Sequence, residues 1–329
     1  MRFVIYGAGG VGGAIGARLF IHGESVTLIA RGEHRLELAR SGLKLIAPDG
    51  EHRLAIPVVG HPTEYRFDED DVVLLCVKSQ QTAVALDALR NAAGDRVPVV
   101  CAQNGVANEV MAARRFVYVY AMVVNLPAEH LAPGVVVTHA QAPGGMLDLG
   151  CYPTGTDARC ESIARTLTAA GFRAQSDAGV MRQKYAKLLM NLNNALQAAS
   201  NMADGAREIT TSLRNEALAC YASAGIDCAG ADEVKARRAD GMRFVDIAGH
   251  PRHGGSSWQS IARGTGDIET DFLNGEIVLL GRQHGVPTPA NLVLQRVGNE
   301  MARRRLPPGH FKIEDLLELI EAERGRCNH

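Results

Sequence analysis

Residues 1–16 read MRFVIYGAGGVGGAIG, and the reading of this stretch decides the fold. An apolar run, Phe3–Tyr6, leads directly into Gly7-Ala8-Gly9-Gly10-Val11-Gly12. Such an unbroken run suits a strand covered on both faces. The G-x-G-x-x-G spacing that follows suits a tight turn opening a helix. Its glycines let the backbone approach a pyrophosphate and let the helix pack close to the strand. The first N–H groups of that helix, and its dipole, favour phosphate. Gly7, Ala8, Gly9, Gly10, Val11 and Gly12 are therefore candidate dinucleotide-binding residues. A purely structural tight turn is the competing reading.

Working outward, the run SVTLIA at 25–30 reads as the second strand, and Arg31 follows it. A carboxylate there would hold the ribose 2′-hydroxyl of NAD. A guanidinium suits a 2′-phosphate through charge-assisted hydrogen bonds, which points to NADPH/NADP+. A solvated surface arginine is the alternative. Lys78, in Cys76-Val77-Lys78, and Asn104, in Gln103-Asn104-Gly105, end two further predicted strands. Open α/β sheets bind ligands at such ends, although a solvated lysine and a turn asparagine would look the same.

The alternation continues through Val72–Val77, Val97–Cys101 and Val117–Val124, each a predicted strand. Gly134–His139 and Gly145–Leu149 read as an antiparallel hairpin extending the sheet, and Gly171–Gln175 as its edge strand. From Met181 the pattern becomes helical: Met181–Ala199, Thr210–Ala224, Ala231–Val245, Ser257–Ala262, Asp267–His284, Asn291–Arg305 and Ile313–Ala322. The expected fold class is α/β, with an N-terminal Rossmann-type dinucleotide-binding domain at 1–178 and an all-helical C-terminal domain at 179–329. At 329 residues, two domains are also what length alone suggests.

Composition narrows the partners. The chain carries 35 Lys+Arg against 36 Asp+Glu, a formal net charge of −1, and a single Trp. No charge field or aromatic platform points to nucleic acid. No apolar run approaches the ~18 residues of a membrane span, and the N-terminus reads as a strand, not a signal peptide. The seven cysteines are scattered without C-x-x-C spacing, which suggests a reducing, cytoplasmic setting and no metal site. A small-molecule substrate is the expected partner, with a homodimer as the assembly this reading admits.

Within Met181–Ala199, Lys187, Asn191 and Asn194 are spaced i, i+4, i+7 and share one face of a straight helix. The rest of the circumference is largely apolar, so the stripe faces a cavity, a partner or solvent. Ser257 stands at a predicted helix start, where a hydroxyl caps the helix or meets an anion. Glu269 lies in Asp267–Gly275 and reads equally as a solvated helix face.

With these residues on the page, the chain resembles the ketopantoate reductase (2-dehydropantoate 2-reductase) family over nearly its whole length. The resemblance rests on GAGGVGGAIG (7–16), Arg31, CVKSQQT (76–82), QNGV (103–106), PGVVVTH (133–139), KLLMN (187–191), SSWQS (256–260) and DIETDFLNGEIVLLGRQHGVPTPAN (267–291). It implies NADPH-dependent reduction of a 2-keto acid, ketopantoate to pantoate, a step of pantothenate biosynthesis. It implies that Gly7, Gly9, Gly12 and Arg31 bind NADPH, with Lys78 and Asn104 beside the nicotinamide. Lys187 would be the general acid, and Asn191, Ser257 and Glu269 would hold the substrate's carboxylate and hydroxyl, with Asn194 alongside. The chain departs from the family pattern at Ala195, where a second asparagine is usual, at Gly254, and at NLPAEH (125–130), all assigned here to the substrate side. Two alternatives stay open: a related NADPH-dependent carbonyl or imine reductase, and a non-catalytic NADP-sensing protein. Retention of Lys187 and Glu269 argues against the sensor.

Overall fold

The apolar run at the N-terminus forms the strand β1 (Arg2–Tyr6) and the glycine turn opens α1 (Gly10–Ile21) in the computed structural model, which describes residues 1–141, 143–239, 243–264 and 266–327, without the side chains of 239 and 327. There follow β2 (Ser25–Ile29), α2 (Gly32–Ser41), β3 (Leu43–Ala47), β4 (Gly50–Leu54), β5 (Val58–Val59), β6 (Asp71–Leu75), α3 (Thr82–Ala93), β7 (Val99–Cys101) and α4 (Ala107–Ala113). Next come β8 (Val119–Asn125), β9 (Ala128–Glu129), β10 (Val135–Thr138), β11 (Ala140–Gln141), β12 (Met146–Cys151), α5 (Ala158–Ala169) and α6 (Val180–Asn191). The remainder comprises α7 (Asn193–Ser200), α8 (Ala206–Ala224), α9 (Ala231–Ala239), β13 (Arg243–Phe244), α10 (Ser256–Ala262), α11 (Asn274–His284), α12 (Pro289–Arg304) and α13 (Ile313–Cys327). The chain divides into two units: Met1–Lys184 with Ala231–Arg252, and Tyr185–Gly230 with His253–His329.

The first unit is built on a seven-stranded sheet of order β12-β8-β7-β6-β1-β2-β5. Pairing is parallel from β5 through β8, and β12 closes the edge antiparallel to β8. The strand order reverses between β1 and β6, so the glycine turn and the Lys78 turn leave the sheet at its switch point. Side chains alternate between two apolar layers. Phe3 and Ile5 pack with α1 and α5 through Ile15, Leu19, Ile163 and Leu167. Val4 and Tyr6 pack with α3 and α4 through Leu86, Leu89 and Ala112. Burial on both faces explains the continuous apolar runs of β6, β7 and β8.

Three expectations need correction. The runs read as a hairpin belong to different sheets: β12 extends the main sheet, whereas β10 joins a four-stranded sheet of order β4-β3-β10-β9. That sheet's β3–β4 hairpin, turning at Pro48-Asp49-Gly50, was not anticipated, though Pro-Asp-Gly is a turn signal. The stretch read as one helix over Ala231–Val245 is helical over Ala231–Ala239. Residues 240–242 lie outside the described residues, and β13 then pairs with β11. Residues 173–176 bridge in parallel to β12 without forming a full strand.

In the second unit α12 packs against α7, α8, α10, α11 and α13. Its buried Leu294, Val297 and Met301 face that ring of helices. Glu216 of α8 caps α12, accepting the N–H groups of Ala290 (2.8 Å) and Asn291 (3.0 Å). Such a carboxylate satisfies two of the helix's orphan donors and complements its dipole. Among the described residues, no helix is long and apolar enough to cross a membrane.

Candidate active site

The glycine turn of the first unit has the shape of a phosphate cradle. Gly7 has φ +105°, and a Cβ there would meet Val77 N at 2.7 Å. Only glycine combines that conformation with that approach. A Cβ at Gly12 would collide with the Gly7 carbonyl and stand 2.9 Å from Cys76 Cβ, so this residue is what lets α1 lie on β1. At Gly9, by contrast, nothing among the described residues stands within 4 Å of the Cβ position. Gly9 is also the N-cap of α1, whose first turn carries no acidic side chain. An anion can therefore reach the first N–H groups of α1 from that open side. His34 braces the turn: its Nε2 donates to the Ala8 carbonyl (2.7 Å) and its Nδ1 accepts from Gly134 N–H (2.9 Å). Burial holds this imidazole below its ordinary range, which keeps Nδ1 free to accept.

Arg31 is exposed at the N-cap of α2, and its Nη2 donates to Gln81 Oε1 at 3.0 Å. Lys78 is half-buried at the start of the short turn Ser79–Gln81, and Asn104 is half-buried after β7. A buried network under these two turns escaped the sequence reading. Gln103 Nε2 donates to Val77 O (2.7 Å) and Thr82 Oγ1 (2.8 Å). Thr82 Oγ1 donates to Asn108 Oδ1 (2.8 Å), and Asn108 Nδ2 donates to Ser79 Oγ (3.1 Å) and Asn104 O (3.0 Å). The residues fit a dinucleotide: an open cradle, a helix N-terminus and an exposed guanidinium past β2.

In the second unit the expected long helix is interrupted at Leu192, between α6 and α7. Lys187 and Asn191 therefore lie one turn apart on α6, whereas Asn194 lies beyond the break. Lys187 is half-buried. Asn191 is 9% exposed, and its Nδ2 finds no hydrogen-bond partner among the described residues. The break is held by Asn274, whose Nδ2 donates to the Leu192 carbonyl and to Asn291 Oδ1, both at 3.1 Å. Asn291 Nδ2 donates in turn to Leu213 O (3.1 Å) and Glu216 Oε2 (2.8 Å). The Asn-Gly at 274–275 and the asparagine of Pro-x-Pro-x-Asn thus act far from each other in sequence on one helix break.

Ser257 does not cap its helix: the N-cap of α10 is Gly255, whose N–H donates to Gln197 Oε1 at 2.7 Å. The Ser257 hydroxyl is instead 2% exposed with no partner among the described residues. Asn194 Oδ1 lies beside Gly255, 3.4 Å from where its Cβ would be. Glu269 is buried, not a solvated face. Its charge acts on Arg263, a guanidinium whose pKa burial lowers and the carboxylates of Asp267 and Glu269 raise.

A model of ketopantoate reductase PanE/ApbA matches residues 3–154, and a model of ketopantoate reductase PanE/ApbA C terminal matches residues 179–302. The chain belongs to the ketopantoate reductase family. A 2-dehydropantoate 2-reductase of Mesorhizobium japonicum is 30% identical over 325 residues, covering 88% of this chain and 94% of the relative. A PanE/ApbA family ketopantoate reductase of Ralstonia eutropha superposes with a TM-score of 0.78 at 28% identity, covering 93% of this chain and 99% of that one. A D-mandelate dehydrogenase with NADH and anilino(oxo)acetate shares the fold at 22% identity, with a TM-score of 0.80 over 93% of this chain and all of that one (100%).

Position 195 is a buried alanine. At Gly254 the Trp258 ring occupies the place a side chain would need, held by Nε1 donating to Asn201 Oδ1 at 3.1 Å. The stretch 125–130 packs against the glycine turn: a Cβ at Gly10 would stand 2.8 Å from Ala128 O of β9.

Proposed function

We propose that this chain uses NADPH to reduce 2-dehydropantoate to pantoate, with Lys187 as general acid. NADPH, when bound, supplies the hydride. Gly7–Gly12 and the N-terminus of α1 hold the pyrophosphate, and Arg31 holds the 2′-phosphate. Lys78 and Asn104, on turns at the switch point, orient the nicotinamide end. The Lys187 ammonium stabilises the developing alkoxide and delivers its proton to that oxygen. The observation that carries the substrate reading is a pair of buried groups without a hydrogen-bond partner among the described residues, Asn191 Nδ2 and Ser257 Oγ. A buried polar group without a partner costs about 1–3 kcal/mol, so two of them point to a ligand that satisfies both. The test is NADPH oxidation with ketopantoate and a panel of 2-keto acids. The highest kcat/KM is expected for ketopantoate. A second reading, a different 2-keto acid, draws on Ala195 and on the Trp258 ring over Gly254, and a better turnover of another panel member would favour it.

Glu269 accepts a hydrogen bond from a substrate hydroxyl in this account. Glu269→Ala is then expected to raise KM and lower kcat for a hydroxylated keto acid, and to matter much less for an analogue lacking the hydroxyl. Equal losses on the two substrates would make Glu269 simply the counter-charge of Arg263.

A further inference from the structure

We propose that Lys184 and Glu109 are a positioning pair that sets the turns carrying Lys78 and Asn104, a role that rests on the cofactor reading above. Lys184 lies on α6, three residues before Lys187, yet it belongs to the first unit. It is 3% exposed, and Glu109 on α4 is completely buried. The ammonium pairs with Glu109 Oε1 at 2.5 Å and donates to the Gln103 carbonyl at 2.9 Å and the Met122 carbonyl at 3.3 Å.

Stability alone does not explain such a pair. Removing two ions from water is costly, and apolar residues of similar volume often serve as well or better. What an apolar pair cannot do is grip the Gln103 carbonyl. That peptide immediately precedes Asn104, and the Gln103 side chain continues the grip to Val77 O and Thr82 Oγ1. Through Thr82 and Asn108 it reaches Ser79 Oγ and the Asn104 carbonyl. The ion pair is therefore the fixed end of a chain of hydrogen bonds whose other end is the Lys78–Ser79 turn. Both turns follow strands at the switch point, where the nicotinamide end of the cofactor is read to lie.

The test compares the intact protein with K184M/E109L, which replaces the pair by an apolar one, and with Thr82→Val, which keeps the pair but cuts one link. Melting temperature, NADPH affinity, fluorescence of the bound nicotinamide, kcat, and the isotope effect with 4-deuterated NADPH are measured. The double variant is expected to melt at or above the intact protein and to keep most of its NADPH affinity, which the glycine turn and Arg31 carry. Its kcat is expected to fall about 10- to 100-fold, the range for a misplaced reacting group, with a larger isotope effect. The bound nicotinamide fluorescence should change as well. Thr82→Val should show the same signs at smaller size, and it decides the matter if the double variant does not fold. A folded variant with unchanged kcat, isotope effect and nicotinamide fluorescence would overturn the proposal. Should the intact protein reduce no 2-keto acid, the substrate reading fails by itself. The fluorescence of bound NADPH still tests the pair.

Discussion

Replacing Lys187 with alanine is expected to lower kcat by about 10²- to 10⁴-fold, the usual worth of general acid catalysis, while NADPH binding stays intact. Hydride arrival at the keto carbon leaves charge on oxygen, and an ammonium aimed there both stabilises and protonates it. Lys187 is half-buried and stands one helical turn before the orphaned Asn191 amide, on the same helix. Lys184, a turn earlier, is buried, ion-paired with Glu109 and bonded to two carbonyls. In the intact protein the rate should fall as pH rises and the acid loses its proton; in Lys187→Ala that alkaline limb should vanish. Steady-state kinetics across pH, with nucleotide titrated separately, checks both. A variant with normal kcat and the same alkaline limb would move the proton donor elsewhere, with Lys78 next in line.

The second large effect is expected at Arg31. Arg31→Ala should weaken NADPH about ten- to hundredfold and NADH little, since charged hydrogen bonds are among the stronger ones. Arg31 is exposed and its guanidinium already touches Gln81 Oε1, so the 2′-phosphate would share it with an amide. Exposure also means screening, so the discrimination should shrink as salt is raised. Fluorescence titration of both nucleotides at low and high ionic strength is the measurement. Equal losses for the two cofactors would remove Arg31 from the 2′-phosphate.

The parts of this protein that could be read in advance are those written locally. The strand, glycine turn and helix at 1–21 announce themselves because apolar periodicity and φ requirement are both local properties. The strand ends at Lys78 and Asn104 follow from the same pattern. What could not be read depends on pairing across the chain. β10 and β12 both look like strands, but nothing nearby in sequence says that Val135 pairs with Lys44 and Met146 with Asn125. The return of 231–252 to the first unit rests on contacts such as Arg237 with Asp148 and Asp177, both at 2.7 Å, between residues far apart in sequence.

The site shows the same division. Lys187 and Asn191 could be paired from helix spacing alone. Asn194 could not, because the break at Leu192 depends on Asn274, 82 residues on. Lys184 is 3% exposed beside Glu109, with two carbonyls accepting from it, and helix spacing gives no sign of either. Gly254 read only as a departure from the family pattern; in the structure the Trp258 ring fills the place a side chain would take.

The most direct test of the central claim is to incubate the purified protein with NADPH and ketopantoate, follow nucleotide oxidation and identify the product. The expected result is stoichiometric formation of pantoate, with NADPH preferred over NADH and kcat/KM higher than for other 2-keto acids. Tight NADPH binding without oxidation in the presence of any 2-keto acid would contradict it.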